Sequence, residues 1–540
     1  MWRKVLAIIS SGILTFVMTI NYAVYISYEG YTGSDYQVNI HYAIAAVLIM
    51  IPVYIYLFIK KNFLEECFLK HSRKVQGISI VISFFAVLQL KCDVEKNWSH
   101  ILTALGWNMD MPLVIWLLCA SAGIGIYLFV CYAVWTVGGW GYRFFQSFTY
   151  EEKLFFVVSL AGCLSLVCYF YARTDACWNT VDLVYQADPY FVYDHYYPVF
   201  SFGYDFDWDI GNGGIRHPLA TVILFPIHIF VSFLSNLCFG ITNIRPVLYA
   251  FAESAFMIMT AIMIKRIVGS QWIYGLFVFS FPFTFFTVFI EKYPISIFLV
   301  VLYVYTTIEE KGSAIQKYSL ISSGGMMITT SVLGVLYGTE TKLAGRIKEY
   351  ASAVITFFLT LIGTGRIHYI MEFDRLIHQN SVMFYEGALD QNGFMEKFAG
   401  FTNLCASSFI PAAYEGTEVN FYWTHLNDKI NYFGLFVLVI GLYACIKCRG
   451  EKKYYPFIAW FLFSIIQFVI VGFGTGFEPL FSLCHAWAII PLFFLGISHL
   501  VRASAIRKVI FGSLSVIMLY YNYIHMQELL AYLTMKAPLL

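Results

Sequence analysis

Long apolar runs constrain the fold of this chain more than any other feature. A run of about 20 apolar residues is long enough to cross the hydrocarbon core of a bilayer as a helix. Only 12% of the 540 residues are charged and 59% are hydrophobic, whereas a soluble domain carries roughly 25% charged residues. Runs suited to spanning lie at 5–27, 41–59, 75–90, 112–137, 153–172, 218–237, 246–264, 272–289, 293–308, 318–337, 349–364, 431–446, 454–474, 480–501 and 507–524. The pattern predicts an all-α, polytopic transmembrane helical bundle of about 13–15 helices.

The basic residues indicate how the bundle is oriented. Lys and Arg favour short cytoplasmic connections, and they cluster at 3–4, 60–74, 447–453 and 502–507. Placing these clusters in the cytoplasm agrees with alternation through the first five runs and the last four. Two long polar loops, 173–217 and 365–430, then lie outside the cytoplasm, and we expect both to fold.

The middle of the chain breaks this alternation. Basic residues at 265–266, 311–317 and 342–348 cannot all be cytoplasmic if every run spans, so at least one run between 218 and 364 is not a full span. The expected organisation has four parts: N-terminal transmembrane helices (1–152), a core carrying the first long loop (153–364), the second loop (365–430) and C-terminal helices (431–540).

Several classes of function are disfavoured by what the sequence lacks. The net charge of +1 gives no electrostatic reason to expect a nucleic-acid partner, and no Walker or strand-linked GxGxxG motif is present. Cys445 and Cys448 have no second pair, which favours small apolar helix residues over a zinc site. The first run follows Arg3 and Lys4 and is too long for a signal peptide. We expect a retained anchor and a multi-pass protein of the plasma membrane.

The first long loop is the most informative stretch. It contains no Glu and no Lys, and Tyr, Phe and Trp are interleaved throughout. Its aspartates are Asp175, Asp182, Asp188, Asp194, Asp205, Asp207 and Asp209. Carboxylates among aromatic rings at a bilayer surface suit a polyol such as a sugar, and one carboxylate can act as a general base. The loop ends with Arg216 and His217, which are suited to holding a phosphate by charge-assisted hydrogen bonds.

Other interpretations of these residues remain open. The loop could be a solvated linker with an aromatic belt. Asp205, Asp207 and Asp209 alternate along the chain and could bind a divalent cation through oxygen ligands, although the pattern favours solvated acids or sugar-hydroxyl acceptors. Glu291 and Lys292, between two apolar runs, could be a surface turn. His485 begins an apolar run and is expected to face the bundle interior with a satisfied ring.

The order of these elements resembles the membrane glycosyltransferases of the GT-C superfamily, in particular the protein O-mannosyltransferase and lipid A aminoarabinose transferase group. In that group an acid early in the first external loop is followed by a Pro-Pro-Leu-like element, and Asp175 and Pro218-Leu219 stand at the similar positions. Glu291 and Lys292, and the segment 477–497 with His485, resemble later family features. The sequence departs from the family in having about four helices before the loop, Asp-Ala in place of Asp-Glu, and one proline in place of two.

The resemblance implies a concrete function. The donor would be a polyprenyl-phosphate-linked sugar, and the acceptor a glycan, lipid or protein outside the cytoplasm. Asp175 would be the catalytic base of an inverting transfer. Arg216, His217 and Lys292 would bind the donor phosphate, and the sugar and acceptor would contact Asp182, Asp205, Asp207, Asp209 and Glu291. No residue is assigned as a metal ligand and no cofactor is required, and a divalent cation is left open.

Two alternatives belong to other classes. An O-antigen or capsule-type polymerase would use basic residues of the second loop, with Arg366, Arg375 and His378 as candidates. A lipid or polysaccharide transporter is the non-enzymatic alternative. Transporters often contain repeats and broken helices near the midplane, and the sequence has no evident half-to-half symmetry.

Overall fold

A computed structural model describes most of the apolar chain. The described residues are 2–29, 40–61, 63, 65, 72–104, 112–173, 218–238, 244–288, 292–309, 313–338, 342–371, 393–411, 429–472 and 478–536. Every regular element within these ranges is helical. The α-helices are α1 (Trp2–Glu29), α2 (Ile40–Ile55), α3 (Arg73–Ala104), α4 (Pro112–Ala133), α5 (Gly139–Gln146), α6 (Tyr150–Arg173), α7 (Ala220–Leu237), α8 (Ile244–Val268), α9 (Trp272–Val278), α10 (Phe281–Val288), α11 (Tyr293–Glu309), α12 (Ala314–Met326), α13 (Leu333–Leu336), α14 (Leu343–Gly363), α15 (His368–Met371), α16 (Phe394–Ser407), α17 (Lys429–Cys448), α18 (Tyr455–Ile465), α19 (Glu478–Leu500) and α20 (Ser504–Lys536).

Ten helical segments of the described chain are long and apolar enough to cross a membrane. They are Trp2–Ile20, Ile40–Lys60, Arg73–Cys92, Leu113–Gln146, Tyr150–Phe170, Val247–Val268, Asn431–Cys448, Lys452–Val471, Phe481–Leu500 and Ser504–Glu528. The helical, multi-pass membrane class is therefore confirmed. The other five predicted spans all fall between 218 and 364, the region where basic residues do not alternate.

The run predicted as one span at 272–289 is a broken helix. α9 ends at Val278 and α10 begins at Phe281. Two other parts of the chain satisfy the freed backbone groups: Asn522 Nδ2 donates to Phe279 O at 2.7 Å, and Phe281 N donates to Phe409 O at 3.0 Å. Interrupted backbone is tolerated at membrane depth where neighbouring protein satisfies it in this way.

The run predicted as a span at 318–337 enters and leaves on the same side of the bundle. Met327 is extended (φ −152°, ψ 106°) and reverses the chain after α12. Gln316, near one end, donates to Thr307 Oγ1 at 3.2 Å, and Tyr337, at the other end, accepts from Tyr303 Oη at 2.6 Å. Thr307 and Tyr303 are one turn apart on α11, so residues 313–338 form a re-entrant hairpin.

Part of the predicted loop 365–430 is built into the bundle. α16 lies within this range, and its residues Ala399–Ser407 are buried. Thr402 Oγ1 contacts Asn431 Oδ1 at 3.0 Å, and the Phe401 ring packs 6.1 Å from that of Phe461. The segment is therefore not a continuous loop, because its apolar residues pack against α17 and α18.

A polar network at one end of the bundle ties together helices from separate parts of the chain. Glu152, in the first turn of α6, accepts from Arg266 Nε at 2.9 Å, Arg266 Nη2 at 2.6 Å and Lys265 Nζ at 3.2 Å. Arg266 Nη1 also donates to Tyr305 Oη at 3.2 Å. The start of α6, the end of α8 and the C-terminal part of α11 therefore meet at this end, which we call the basic end.

Candidate functional site

The basic end fixes where the first long loop leaves the bundle. α6 begins at the basic end and is 24 residues long, so Arg173 lies about 36 Å away, at the opposite end. α11 reaches the basic end at Tyr305, and its first residue, Tyr293, lies about 18 Å away along the helix, roughly half the length of α6. Lys292 therefore lies inside the bundle, away from the basic end and toward the end from which the aspartate-rich loop departs.

Most of the predicted site residues cannot be placed. Those that lie outside the described residues are Asp175, Asp182, Asp205, Asp207, Asp209, Arg216, His217 and Glu291, together with Arg375 and His378 of the polymerase alternative. Their roles stay predictions. The structure does describe Lys292, Arg366 and His485, and the buried residues Pro218 and Leu219 that follow the loop.

Lys292 is a buried cation at the start of a buried helix. Its side chain is only 2% exposed, which argues against a plain surface turn. Its carbonyl accepts the first hydrogen bond of α11, from Ser296 N at 3.0 Å. The Tyr293 ring beside it packs 6.1 Å from Phe286 and 6.3 Å from Phe481. A buried ammonium is costly within a membrane bundle, and ionisable residues in such positions are usually functional.

Glu253 is an ionisable residue that the sequence analysis missed. It lies on α8 within the span Val247–Val268, and its side chain is 1% exposed. The available signal was a single acidic residue within the apolar run 246–264. The neighbouring Ser254 is bonded within its own helix, to Ala250 O at 2.7 Å. A carboxylate at membrane depth is a candidate functional group by its cost alone.

The far end of the loop returns to the interior of the bundle. Leu219 N donates to Gly325 O at 2.9 Å, at the turn of the re-entrant hairpin. Leu219 also packs in one apolar cluster with Leu361 of α14. The chain therefore enters α7, which begins four positions after Arg216, among buried residues, and the hairpin and α14 position this entry.

Arg366 lies close to the same place. Its backbone N donates to Leu361 O at 2.8 Å, and the preceding Gly365 has φ +87°, an arrangement typical of a helix end closed by glycine. The Arg366 side chain is fully buried, and its Nη1 donates to Thr364 O at 3.1 Å. A cation that the polymerase alternative assigns to an external loop is thus inside the bundle.

His485 is buried in the bundle, as predicted. Its Nδ1 lies 2.6 Å from Ser464 Oγ, and its ring stacks on Trp460. Because Ser464 Oγ donates to Trp460 O at 2.7 Å, the His485 contact requires Nδ1 to carry the hydrogen. The ring is thus held between two helices by a structural hydrogen bond.

No group of three or more His, Cys, Asp or Glu side chains among the described residues could hold a metal ion. No protein-family model matches the sequence, and neither a curated protein nor a solved structure matches it. The GT-C relationship therefore stays a resemblance.

Proposed function

We propose that this protein is a membrane glycosyltransferase that moves a sugar from a polyprenyl-phosphate-linked donor to an acceptor on the extracytoplasmic side. Asp175 is the proposed base, Lys292 the phosphate-binding cation in the described bundle, and Arg216 and His217 its proposed partners. The identity of the sugar and that of the acceptor are left open.

The observation that carries the proposal is the placement of Lys292. A buried ammonium begins α11 inside the bundle, away from the basic end and toward the end from which the aspartate-rich loop departs. In sugar transfer from a lipid phosphate, negative charge develops on the leaving phosphate, and a fixed cation in a water-poor site stabilises it strongly. The carboxylates of the loop would supply the opposite requirement, a base for the acceptor hydroxyl.

The orientation of the chain supports the same side. Lys265 and Arg266 belong to the basic end, and basic residues favour the cytoplasm. The end from which the loop departs, toward which Lys292 lies, would then face away from the cytoplasm. On that side a lipid-linked sugar, in place of a nucleotide sugar, would serve as the donor. Arg366, buried near the loop's return point, could add to the positive potential there.

The direct experiment is a transfer assay with the purified full chain in proteoliposomes. Radiolabelled hexoses on undecaprenyl or dolichyl phosphate are the donors, and release of lipid phosphate is measured with an endogenous membrane extract as acceptor. We expect Asp175→Asn to lower the rate by about a thousandfold and Glu151→Gln, at the basic end, to leave it unchanged. Full activity of Asp175→Asn would remove Asp175 as the base.

A transporter is the second candidate because the structure contains two features typical of that class. One is the broken helix α9–α10, and the other is the re-entrant hairpin, both within the bundle. Under this alternative, proteoliposomes would move a fluorescent lipid-linked sugar between leaflets without releasing lipid phosphate. Phosphate release that depends on Asp175 would favour the transferase.

A further inference from the structure

The first turn of α11 contains a buried hydroxyl, that of Ser296, which lacks the intrahelical hydrogen bond common to buried hydroxyls in this chain. In this chain, buried Ser and Thr side chains on helices commonly donate to the carbonyl four residues earlier, as Thr306 does to Leu302 O at 2.7 Å and Ser515 does to Phe511 O at 2.9 Å. Ser296 is 1% exposed, and its Oγ has no hydrogen-bond partner among the described residues. A buried hydroxyl left without a partner is destabilising, so a ligand is expected there.

The geometry of the helix directs this hydroxyl toward Lys292. Residues four apart lie on one face of a helix, and each Cα–Cβ bond leans toward the helix N-terminus. Ser296 follows Lys292 by four positions, so its side chain leans toward the turn that Lys292 begins. The hydroxyl is therefore directed toward the start of α11, where the Lys292 side chain is also buried.

The same turn offers backbone donors. The first N–H groups of a helix have no acceptor inside the helix, and although Pro294 has no N–H, Ile295 supplies one in this turn. The aligned peptide dipoles add partial positive charge at this end of the 17-residue helix. Ammonium, hydroxyl and backbone N–H groups around one point are the donor set that a phosphate accepts.

We propose that the start of α11 is a phosphate-binding site in which Ser296 Oγ donates a hydrogen bond to a phosphate oxygen held by Lys292. The assignment to a lipid phosphate rests on the proposed function, and the rings of Phe286 and Phe481 beside Tyr293 favour a phosphate delivered on an apolar tail. Ser296 is a ligand-contacting residue that the sequence resemblance does not assign.

The test measures binding, without any transfer reaction. The full chain in phosphatidylcholine nanodiscs is titrated with radiolabelled undecaprenyl phosphate, and undecaprenol is the uncharged comparison. We expect Ser296→Ala to weaken binding of the phosphate by about tenfold and to leave undecaprenol binding unchanged. The matched control is Ser254→Ala, which removes a buried hydroxyl that is bonded within its own helix.

Lys292→Met should weaken binding further, and Ser296→Ala alone decides the proposal if that variant fails to fold. Ser296→Ala with wild-type affinity, or equal affinity for undecaprenyl phosphate and undecaprenol, would overturn it. Competition by excess inorganic phosphate that also depends on Ser296 would support the site and assign it to free phosphate.

The two proposals fail separately. If Ser296-dependent phosphate binding is found but the transfer assay gives no product, the site stands and the glycosyltransferase does not. If transfer is found while Ser296→Ala binds donor normally, the function stands and this site does not.

Discussion

Glu152 illustrates how a single residue fixes the basic end. It forms a capping box with Thr149, whose N–H donates to Glu152 Oε2 at 3.0 Å and whose Oγ1 accepts from Glu152 N at 3.2 Å. The same carboxylate accepts hydrogen bonds from Lys265 Nζ and from Nε and Nη2 of Arg266. Thr-x-x-Glu before an apolar run is a helix-start signal that the sequence provides, but the Arg266 partner comes from more than a hundred residues away and only the fold reveals it.

Replacing Glu152 by Gln is therefore predicted to destabilise the protein by about 2 kcal/mol, because it leaves the half-buried Arg266 without its anionic partner. The measurement is thermal unfolding of the purified protein in detergent. Glu151→Gln is the control, since Glu151 is exposed and contacts Gln271 at the surface. Equal unfolding temperatures for the two variants would contradict the assigned role of the network.

The buried polar residues also differ in how readily the sequence alone identifies them. Lys292 could be singled out because it interrupts two apolar runs. Glu253 has an equally plain signal but no neighbouring motif, and the interest of Ser296 depends on a missing intrahelical bond that no sequence pattern encodes.

Glu253→Gln is predicted to lower the transfer rate at least tenfold, measured in the transfer assay, and to leave the unfolding temperature unchanged. Unchanged activity would make Glu253 a structural residue.

At the scale of elements, hydropathy located the helices but not their continuity. The runs at 272–289 and 318–337 are apolar enough to read as spans, yet each is interrupted where a distant segment supplies hydrogen bonds. Asn522 and Phe409 at the α9–α10 break are far from it in sequence, so only tertiary structure decides between a span and a broken helix. The one local indication that some runs are interrupted was that the basic residues between 218 and 364 do not alternate between the two sides of the membrane.

The re-entrant hairpin predicts that its two flanks lie on the same side. Glu309 and Lys342 are exposed and sit before and after the hairpin. Single cysteines at these positions, in a cysteine-free background, should both react with a membrane-impermeant maleimide only after cells are permeabilised. Labelling of one from outside intact cells and the other from inside would mean that the segment spans the membrane.

The contact between α14 and α1 gives a second prediction at this scale. A Cβ on Gly365, where φ is +87°, would lie 2.5 Å from Met18 C and 2.6 Å from Met18 O. Gly269 has a similar φ of +78° but nothing within 4 Å of such a Cβ. Gly269→Ala should lower the free energy of unfolding by about 1 kcal/mol through left-handed backbone strain alone. Gly365→Ala should lower it by more, because α14 must also move away from α1. Equal unfolding temperatures for the two would show that the approach is loose.

For the whole molecule, composition was sufficient to predict a multi-pass helical bundle, and ten segments confirm it. The sequence could not give the arrangement that matters for function. α6, α8 and α11 are brought into register by the Glu152–Arg266–Tyr305 contacts, and this register places Lys292 away from the basic end, toward the end from which the acidic loop departs. The loop's own aspartates lie outside the described residues, so the catalytic assignment of Asp175 stays a prediction.

The central claim is that this end of the bundle faces away from the cytoplasm, and α6 offers the most direct measurement. Arg173 and Glu151 are both exposed and lie at opposite ends of this one helix. Single cysteines at the two positions are treated with a membrane-impermeant maleimide in intact cells. We expect Arg173→Cys to react at once and Glu151→Cys to react only after permeabilisation. The reverse pattern would put the acidic loop, and the end of the bundle toward which Lys292 lies, on the cytoplasmic side and would contradict extracytoplasmic sugar transfer.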